Sequence, residues 1–267
     1  MMIGKSMLNV LFLGDIIGKP GRAVVHEVLP KLQKERHFDL ILANAENSAG
    51  GLGVTPETLN ALRKTGIHGF TLGNHIWRYD SITEALENDS DVVKPANLPP
   101  STPGKNYMIL STNNGIKVGI ISLLGRVFME PVDCPFRRAE EVVNEISKET
   151  SIIIIDIHAE ATAEKLALAW YLDGKCSAIV GTHTHVQTAD EWILPNGTAY
   201  ISDIGMCGPY HSVIGMQIDR VLLRFVTGIP KKWEVASGPT VFCAVVLEID
   251  EKNGKATRIE RIMIKNT

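Results

Sequence analysis

Short runs of aliphatic and β-branched residues alternate with stretches of helical period along most of the chain. Leu8–Leu13 predicts a strand and Arg22–Arg36 a helix. Phe38–Ala45 predicts a second strand. A helix then opens at Thr55-Pro56-Glu57, with threonine as N-cap and proline at the first helical position, where its missing N–H costs nothing. His68–Leu72 predicts a third strand and Asp80–Glu87 a short helix. Val92–Val93, Tyr107–Ser111 and Lys117–Leu123 are strand-like, with turns such as Asn113-Asn114-Gly115 between them. Ala139–Lys148 predicts a helix, Ser151–Ile157 a strand, Glu164–Leu172 a helix and Ala178–Val180 a strand. The C-terminal quarter is turn-rich and strand-like, with Val241–Ile249 and Ala256–Ile264 placed around Asn253-Gly254. This alternation is that of a layered α/β protein, two sheets packed face to face with helices outside. Without a linker, repeat or low-complexity tract, residues 1–267 are expected to form one domain.

The polar residues collect where the strands end. Leu8–Leu13 runs into Gly14-Asp15, Phe38–Ala45 into Glu46-Asn47, and His68–Leu72 into Gly73-Asn74-His75. Ser151–Ile157 runs into His158, and Ala178–Val180 into Gly181-Thr182-His183-Thr184-His185. In open α/β sheets, ligands sit beyond the carboxyl ends of the strands. Were these five strands parallel neighbours, their polar ends would converge on one edge. His183 and His185, alternating on an extended segment, would then face the same side.

Such a set suits a pair of metal ions. Carboxylates, amides and neutral imidazoles supply oxygen and nitrogen ligands while limiting the negative charge that would repel a phosphate. Two ions can clamp an in-line displacement at phosphorus and acidify a shared water, and a nearby histidine can protonate the leaving oxygen. Taken singly, each cluster has an ordinary reading: Asp15 as a helix cap, Asn74-His75 as a turn, His158 as a strand end. Their joint occurrence in five places favours the metal site.

Composition narrows the setting. The hydrophobic fraction is 45% and the charged fraction 21%, ordinary for a globular protein, and a formal net charge of -3 provides no overall basic field for nucleic acid. The four cysteines, Cys134, Cys176, Cys207 and Cys243, have no close spacing and read as reduced thiols of a cytoplasmic protein. The apolar run Met7–Leu13 lacks a small-residue cleavage site, and Ser151–Ile157 is too short to cross a bilayer, so no membrane association is expected. No Gly-x-Gly-x-x-Gly or Walker pattern indicates a phosphate loop.

The series Gly-Asp, Gly-Asn-His, lone His and Gly-x-His-x-His resembles, in order, the calcineurin-like metallophosphoesterases. From about Met7 to the end the chain is similar to the YmdB family of bacterial phosphodiesterases within that class. The resemblance is carried by Gly14–Arg22, Asn44-Ala45-Glu46-Asn47, Thr71–His75, His158–Thr162, Gly181–Asp190, Asp203-Ile204-Gly205-Met206, Gly208-Pro209 and Ile214-Gly215-Met216. The fold it implies is an αββα sandwich. Ile17 replaces the superfamily's common histidine, Glu46 its bridging aspartate, and Ile76 an aspartate; these departures fit the YmdB pattern. The resemblance further implies one ion on Asp15, Asn47 and His185, another on Asn74, His158 and His183, Glu46 bridging, and His75 as general acid. Iron is the implied metal, with manganese or zinc as substitutes. The implied substrates are phosphodiesters, including 2′,3′- and 3′,5′-cyclic nucleotides, with RNA as a source of substrate, and the implied assembly is a homo-oligomer, dimer or tetramer.

A phosphatase or nuclease would use the same ions, and a metal-dependent nucleotide or RNA sensor with little turnover is a reading of another class. His26, His37 and His68 have no partner cluster and read as structural or solvated. His211, after Gly205–Gly208, reads the same way, with a substrate-loop role as its second reading.

Overall fold

A computed structural model describes residues 7–266. In chain order the elements are β1 (Met7–Leu13), β2 (Asp15–Ile16), α1 (Gly18–Glu35), β3 (Leu40–Asn44), α2 (Pro56–Arg63), β4 (Gly69–Thr71), α3 (Ile82–Asn88), β5 (Val92–Val93), β6 (Met108–Ser111) and β7 (Lys117–Leu124). There follow α4 (Pro135–Ile146), β8 (Ile153–His158), α5 (Thr162–Tyr171), β9 (Ala178–Thr182), β10 (Trp192–Ile193), β11 (Ala199–Ile201), β12 (Met206–Pro209), α6 (Ile218–Thr227), β13 (Thr240–Asp250) and β14 (Ala256–Asn266). One sheet runs β2-β12-β13-β1-β3-β4-β5, with β14 also on β13; the other runs β10-β11-β9-β8-β7-β6. Within them β1, β3, β4 and β5 are mutually parallel, as are β7, β8, β9 and β11.

Alternation along the strands sorts the apolar side chains into three layers. Leu8, Val10, Phe12, Leu40 and Leu42 face Ile120, Ile154 and Val180 of the other sheet. Leu11 and Leu13 point the other way, onto Val24, Val25 and Leu29 of α1. Ile153, Ile155 and Ile157 pack outward against Val142, Val143 and Leu168 of α4 and α5. The result is the expected mixed α/β arrangement, two packed sheets between helices.

Four expectations need correction. The converging strands are not neighbours in one sheet: β1, β3 and β4 belong to one and β8 and β9 to the other. Their carboxyl ends meet because the sheets pack face to face. Helix α1 begins at Gly18, ahead of Arg22, because Pro20 sits in the first turn, where a missing N–H breaks no helical bond. Helix α4 likewise begins at Pro135 rather than Ala139. The C-terminal quarter holds α6, closed by Gly228 in the left-handed conformation, where strands and turns are expected. Its apolar residues Ile218, Val221, Leu222 and Phe225 do recur at helical spacing, but only Val221 is buried, while Phe225 and Val226 are 78% and 80% exposed. The cysteines form no disulfide, and among the described residues no helix is long and apolar enough to cross a membrane.

Candidate metal centre

Each candidate side chain leaves a strand end or the turn beyond it. Asp15 follows β1, Glu46 and Asn47 follow β3, Asn74 and His75 follow β4, His158 closes β8, and His183 and His185 follow β9. Asn44 continues the inward register of Leu40 and Leu42, Asp156 and His158 that of Ile154, and Thr182 that of Ala178 and Val180. Polar residues therefore close one end of the apolar layer between the sheets. Asp15, Glu46, Asn47 and His158 are fully buried there.

The structure brings all eight residues into one network. His158 Nε2 lies 2.9 Å from Asn74 Oδ1, 3.0 Å from Glu46 Oε1 and 3.1 Å from His183 Nδ1. Asp15 Oδ2 accepts from the His183 backbone N–H at 3.0 Å, and its Oδ1 lies 3.8 Å from His185 Nε2. Asn47 Nδ2 donates to Glu46 Oε1 at 3.0 Å and faces His185 Nε2 at 3.3 Å, while its Oδ1 meets His75 Nδ1 at 2.9 Å. Ligation through the Asn47 oxygen on the His185 side therefore requires a half-turn of the amide. Gly73 is needed at its position: a Cβ there would strike the Glu46 carboxylate and the His158 ring. His183 and His185 do not alternate on a strand. Their φ values are 95° and 65°, a left-handed backbone that turns both rings back toward the sheet ends.

Hydrogen bonds on the outer side of each ring decide which nitrogen faces the cluster. Thr182 Oγ1 donates its proton to Asp156 Oδ1 at 2.7 Å, so the Thr182 oxygen accepts from His158 Nδ1 at 2.8 Å. The His158 proton on Nδ1 leaves the Nε2 lone pair facing inward. His183 Nε2 lies 3.3 Å from the Glu160 carboxylate, which holds the proton on that side and leaves Nδ1 inward. His185 Nδ1 donates to Ile214 O at 2.9 Å and leaves Nε2 inward. The inward nitrogens of His158 and His183, the Asn74 oxygen and the Glu46 carboxylate thus face one another, while His185 Nε2 faces Asp15 Oδ1. Asp15 Oδ1, buried without a hydrogen-bond partner, joins them. Electron-rich atoms this close repel unless positive charge lies among them. The inward atoms of Glu46, His158 and His183 fall within 4.8 Å of one another, a spacing one cation can bridge. Oxygen and imidazole donors together suit a divalent transition metal.

The electrostatics show the same demand. Burial alone would lower His158, but the Glu46 and Asp15 carboxylates outweigh it and raise its pKa to about 9. A proton there is a partial substitute for a cation. Burial would raise Glu46, yet His158 and His75 hold it well below the usual carboxylate range. Burial raises Asp15 to about 6 against the pull of His185 and His158. Burial, reinforced by His158, lowers His183 to about 3 and keeps its ring neutral.

Several supporting residues escape a motif-level reading. Asp156 accepts from Asn44 Nδ2 at 3.0 Å, Thr71 Oγ1 at 2.6 Å and Thr182 Oγ1, joining both sheets beneath the cluster. Its signal is a carboxylate inside the isoleucine run Ile152–Ile157, where a charge is costly. Lys165, fully buried on α5, donates to Thr182 O at 2.7 Å and Asp203 Oδ2 at 3.0 Å. Asp203 in turn accepts from Thr184 N and Oγ1, at 3.0 and 2.8 Å, and so fixes the turn carrying His183. Glu160, two residues after His158, carries no sign of its role until His183 is seen beside it. Of the other histidines, His68 Nδ1 accepts from Ile41 N at 2.9 Å and is structural. Asn47, His75, Glu160, His183, His185 and Trp233 line a cleft of about 370 Å³ over the cluster.

The model of the YmdB-like protein family matches residues 11–262. The 2′,3′-cyclic-nucleotide 2′-phosphodiesterase of Bacillus subtilis (strain 168) is 46% identical, with 97% of this chain and 98% of that protein covered. Among solved structures, a hypothetical protein from Thermus thermophilus superposes with a TM-score of 0.91 at 39% identity, covering 97% of this chain and 100% of that one. A novel phosphatase from Mycoplasma pneumoniae superposes with a TM-score of 0.92 at 33% identity, covering 98% and 95%. Matched from its first strand to its last in both sequence and fold, this chain belongs to the YmdB-like family.

Proposed function

We propose that this protein is a metal-dependent phosphodiesterase that opens 2′,3′-cyclic nucleotides. The observation that carries the reading is the inward-facing set of imidazole nitrogens and carboxylate oxygens, each ring anchored on its outer side. Asp15, Asn47 and His185 are the proposed ligands of one ion, Asn74, His158 and His183 those of a second, and Glu46 the bridge. Iron is the proposed native metal, with manganese or zinc able to substitute; the mixed donor set accepts all three. Ions held by these residues would supply positive charge to the phosphoryl oxygens and acidity to the attacking water.

The chain's own residues do the rest. Hydrolysis forms one bond from the water oxygen to phosphorus and breaks the bond to O2′, leaving a 3′-phosphomonoester; O2′ must then receive a proton. His75 is placed to deliver it. Its Nδ1 lies 3.2 Å from Glu46 Oε1, a buried carboxylate oxygen that accepts the Nδ1 proton. Its Nε2 makes no hydrogen bond among the described residues and lies on a side chain that lines the cleft. The Glu46 carboxylate also accepts from the His75 backbone N–H at 3.0 Å, which keeps the ring in place. Self-association, expected from the family resemblance, is supported by the uncovered apolar face of α6 around Phe225 and Val226.

The test is metal analysis of the purified protein together with turnover of bis(p-nitrophenyl) phosphate by wild type and His75→Ala. About two metal ions per chain, and turnover that falls by roughly 10²-fold or more in the variant, are expected. Negligible metal-dependent turnover in both would replace the enzyme with a sensor.

A further inference from the structure

A second cavity, of about 550 Å³, adjoins the metal cleft and shares Leu52 and Trp233 with it. Three cations line it: Lys19, Arg78 and Lys232. No ion pair among the described residues engages them, and the one carboxylate in the lining, Glu234, is held by Arg220 at 3.0 Å. The cavity is therefore cationic without a counter-charge of its own. Two aromatic rings, Tyr79 and Trp233, complete it, and the Trp233 indole Nε1 is buried with no hydrogen-bond partner.

The wall between the cavities is the turn Gly50–Gly53. Gly51 has φ +87° and Gly53 φ +92°; a Cβ at Gly51 would strike Val235, and one at Gly53 would strike Arg78 and Tyr79. Glycine lets this turn be pressed thin, with Leu52 its one side chain and a lining residue of both cavities.

A cyclic mononucleotide carries a single phosphate, and the metal cleft engages it. Such a substrate has no second phosphate for Lys19, Arg78 and Lys232 and no second base for Tyr79, residues that line the second cavity but not the metal cleft. A ribonucleotide joined on the 5′ side supplies both missing features: a linking phosphate for the cations and a base for an aromatic face. We infer that the second cavity is a subsite for the penultimate nucleotide. The favoured substrate is then a short oligoribonucleotide ending in a 2′,3′-cyclic phosphate rather than a free cyclic mononucleotide. This inference rests on the phosphodiesterase reading, and the chemical step is unchanged: water adds to phosphorus, the bond to O2′ breaks and O2′ takes the proton.

Steady-state rates on adenosine 2′,3′-cyclic phosphate and on the adenylyl dinucleotide ending in the same cyclic group test it. The dinucleotide should show a kcat/KM higher by roughly tenfold or more, the size of one stacked base. A neutral methylphosphonate link, or the double variant Lys19→Ala/Lys232→Ala, should remove most of that ratio. Calorimetric binding of the dinucleotide 3′-phosphate should weaken in the same variant. Both lysines are exposed, so their loss leaves the folded core intact. Equal kcat/KM for the two substrates, or a preference that survives both changes, overturns the subsite. Absence of turnover on every substrate with binding that still depends on the lysines overturns the phosphodiesterase reading and keeps the subsite.

Discussion

Replacing Asp156 with asparagine removes one charge and no volume, so it tests whether this carboxylate sets the His158 tautomer. Every partner of Asp156 donates to it: Asn44 Nδ2 and Thr71 Oγ1 at Oδ2, Thr182 Oγ1 at Oδ1. An amide nitrogen at either place meets a donor. On the Thr182 side it would donate to Oγ1 and turn that hydroxyl proton toward His158 Nδ1, pushing the imidazole proton to Nε2, the atom facing the proposed ion. On the Asn44 side it would confront an amide already committed, since Asn44 Oδ1 accepts from Glu46 N at 3.1 Å. Leaving one of these buried donors unsatisfied costs about 1–3 kcal/mol. Outer hydrogen-bond partners of ligating histidines typically contribute 10- to 100-fold in metal affinity, about 1.4–2.7 kcal/mol. Asp156→Asn should therefore bind Mn²⁺ some 10- to 100-fold more weakly when metal-free protein is titrated against a chromogenic chelator. Above pH 9, where the His158 ring is neutral, nitrogen-15 spectra of the metal-free variant should show its proton moved from Nδ1 to Nε2. Affinity within twofold of wild type with the Nδ1 proton retained would refute the relay.

Two further outcomes follow from the buried charges. Lys165→Ala leaves Asp203 buried without its cation and Thr182 O without its donor, so unfolding in urea should show a loss of about 3–5 kcal/mol; a loss below 1 kcal/mol would mean that water replaces the ammonium. Metal affinity should rise with pH up to about 9. The His158 pKa is raised, so its proton competes with the cation below that value and ceases to compete above it. Calorimetry at pH 7 in buffers of different ionisation enthalpy should accordingly detect proton release on metal binding; none would place His158 outside the ligand set.

Much of this molecule is local information. Apolar runs followed by carboxylate, amide or imidazole mark the strand ends, because burial and hydrogen-bonding needs act residue by residue along a strand. The candidate ligands Asp15, Glu46, Asn47, Asn74, His158, His183 and His185, and His75 beside them, are legible on that basis together with the family resemblance. The start of α1 is less so: Pro20 and Gly21 lie ahead of the expected start at Arg22, and the structure places them in the first helical turn. Helix α6 is legible in its spacing, since Ile218, Val221, Leu222 and Phe225 recur at helical period, but that face meets solvent rather than the core.

What tertiary structure alone decides is who faces whom. That the ligand-bearing strands divide between two sheets, and meet because the sheets stack, depends on contacts between residues more than a hundred positions apart, such as Asn44 with Asp156. The nitrogen each histidine turns inward depends on Thr182, Glu160 and Ile214, none of which announces that task. The left-handed backbone at His183 and His185 is imposed by its surroundings, against the ordinary preference of the residue. A chain can state which side chains end its strands, but the direction of a lone pair is settled only by the neighbour that holds the proton on the other side of the ring.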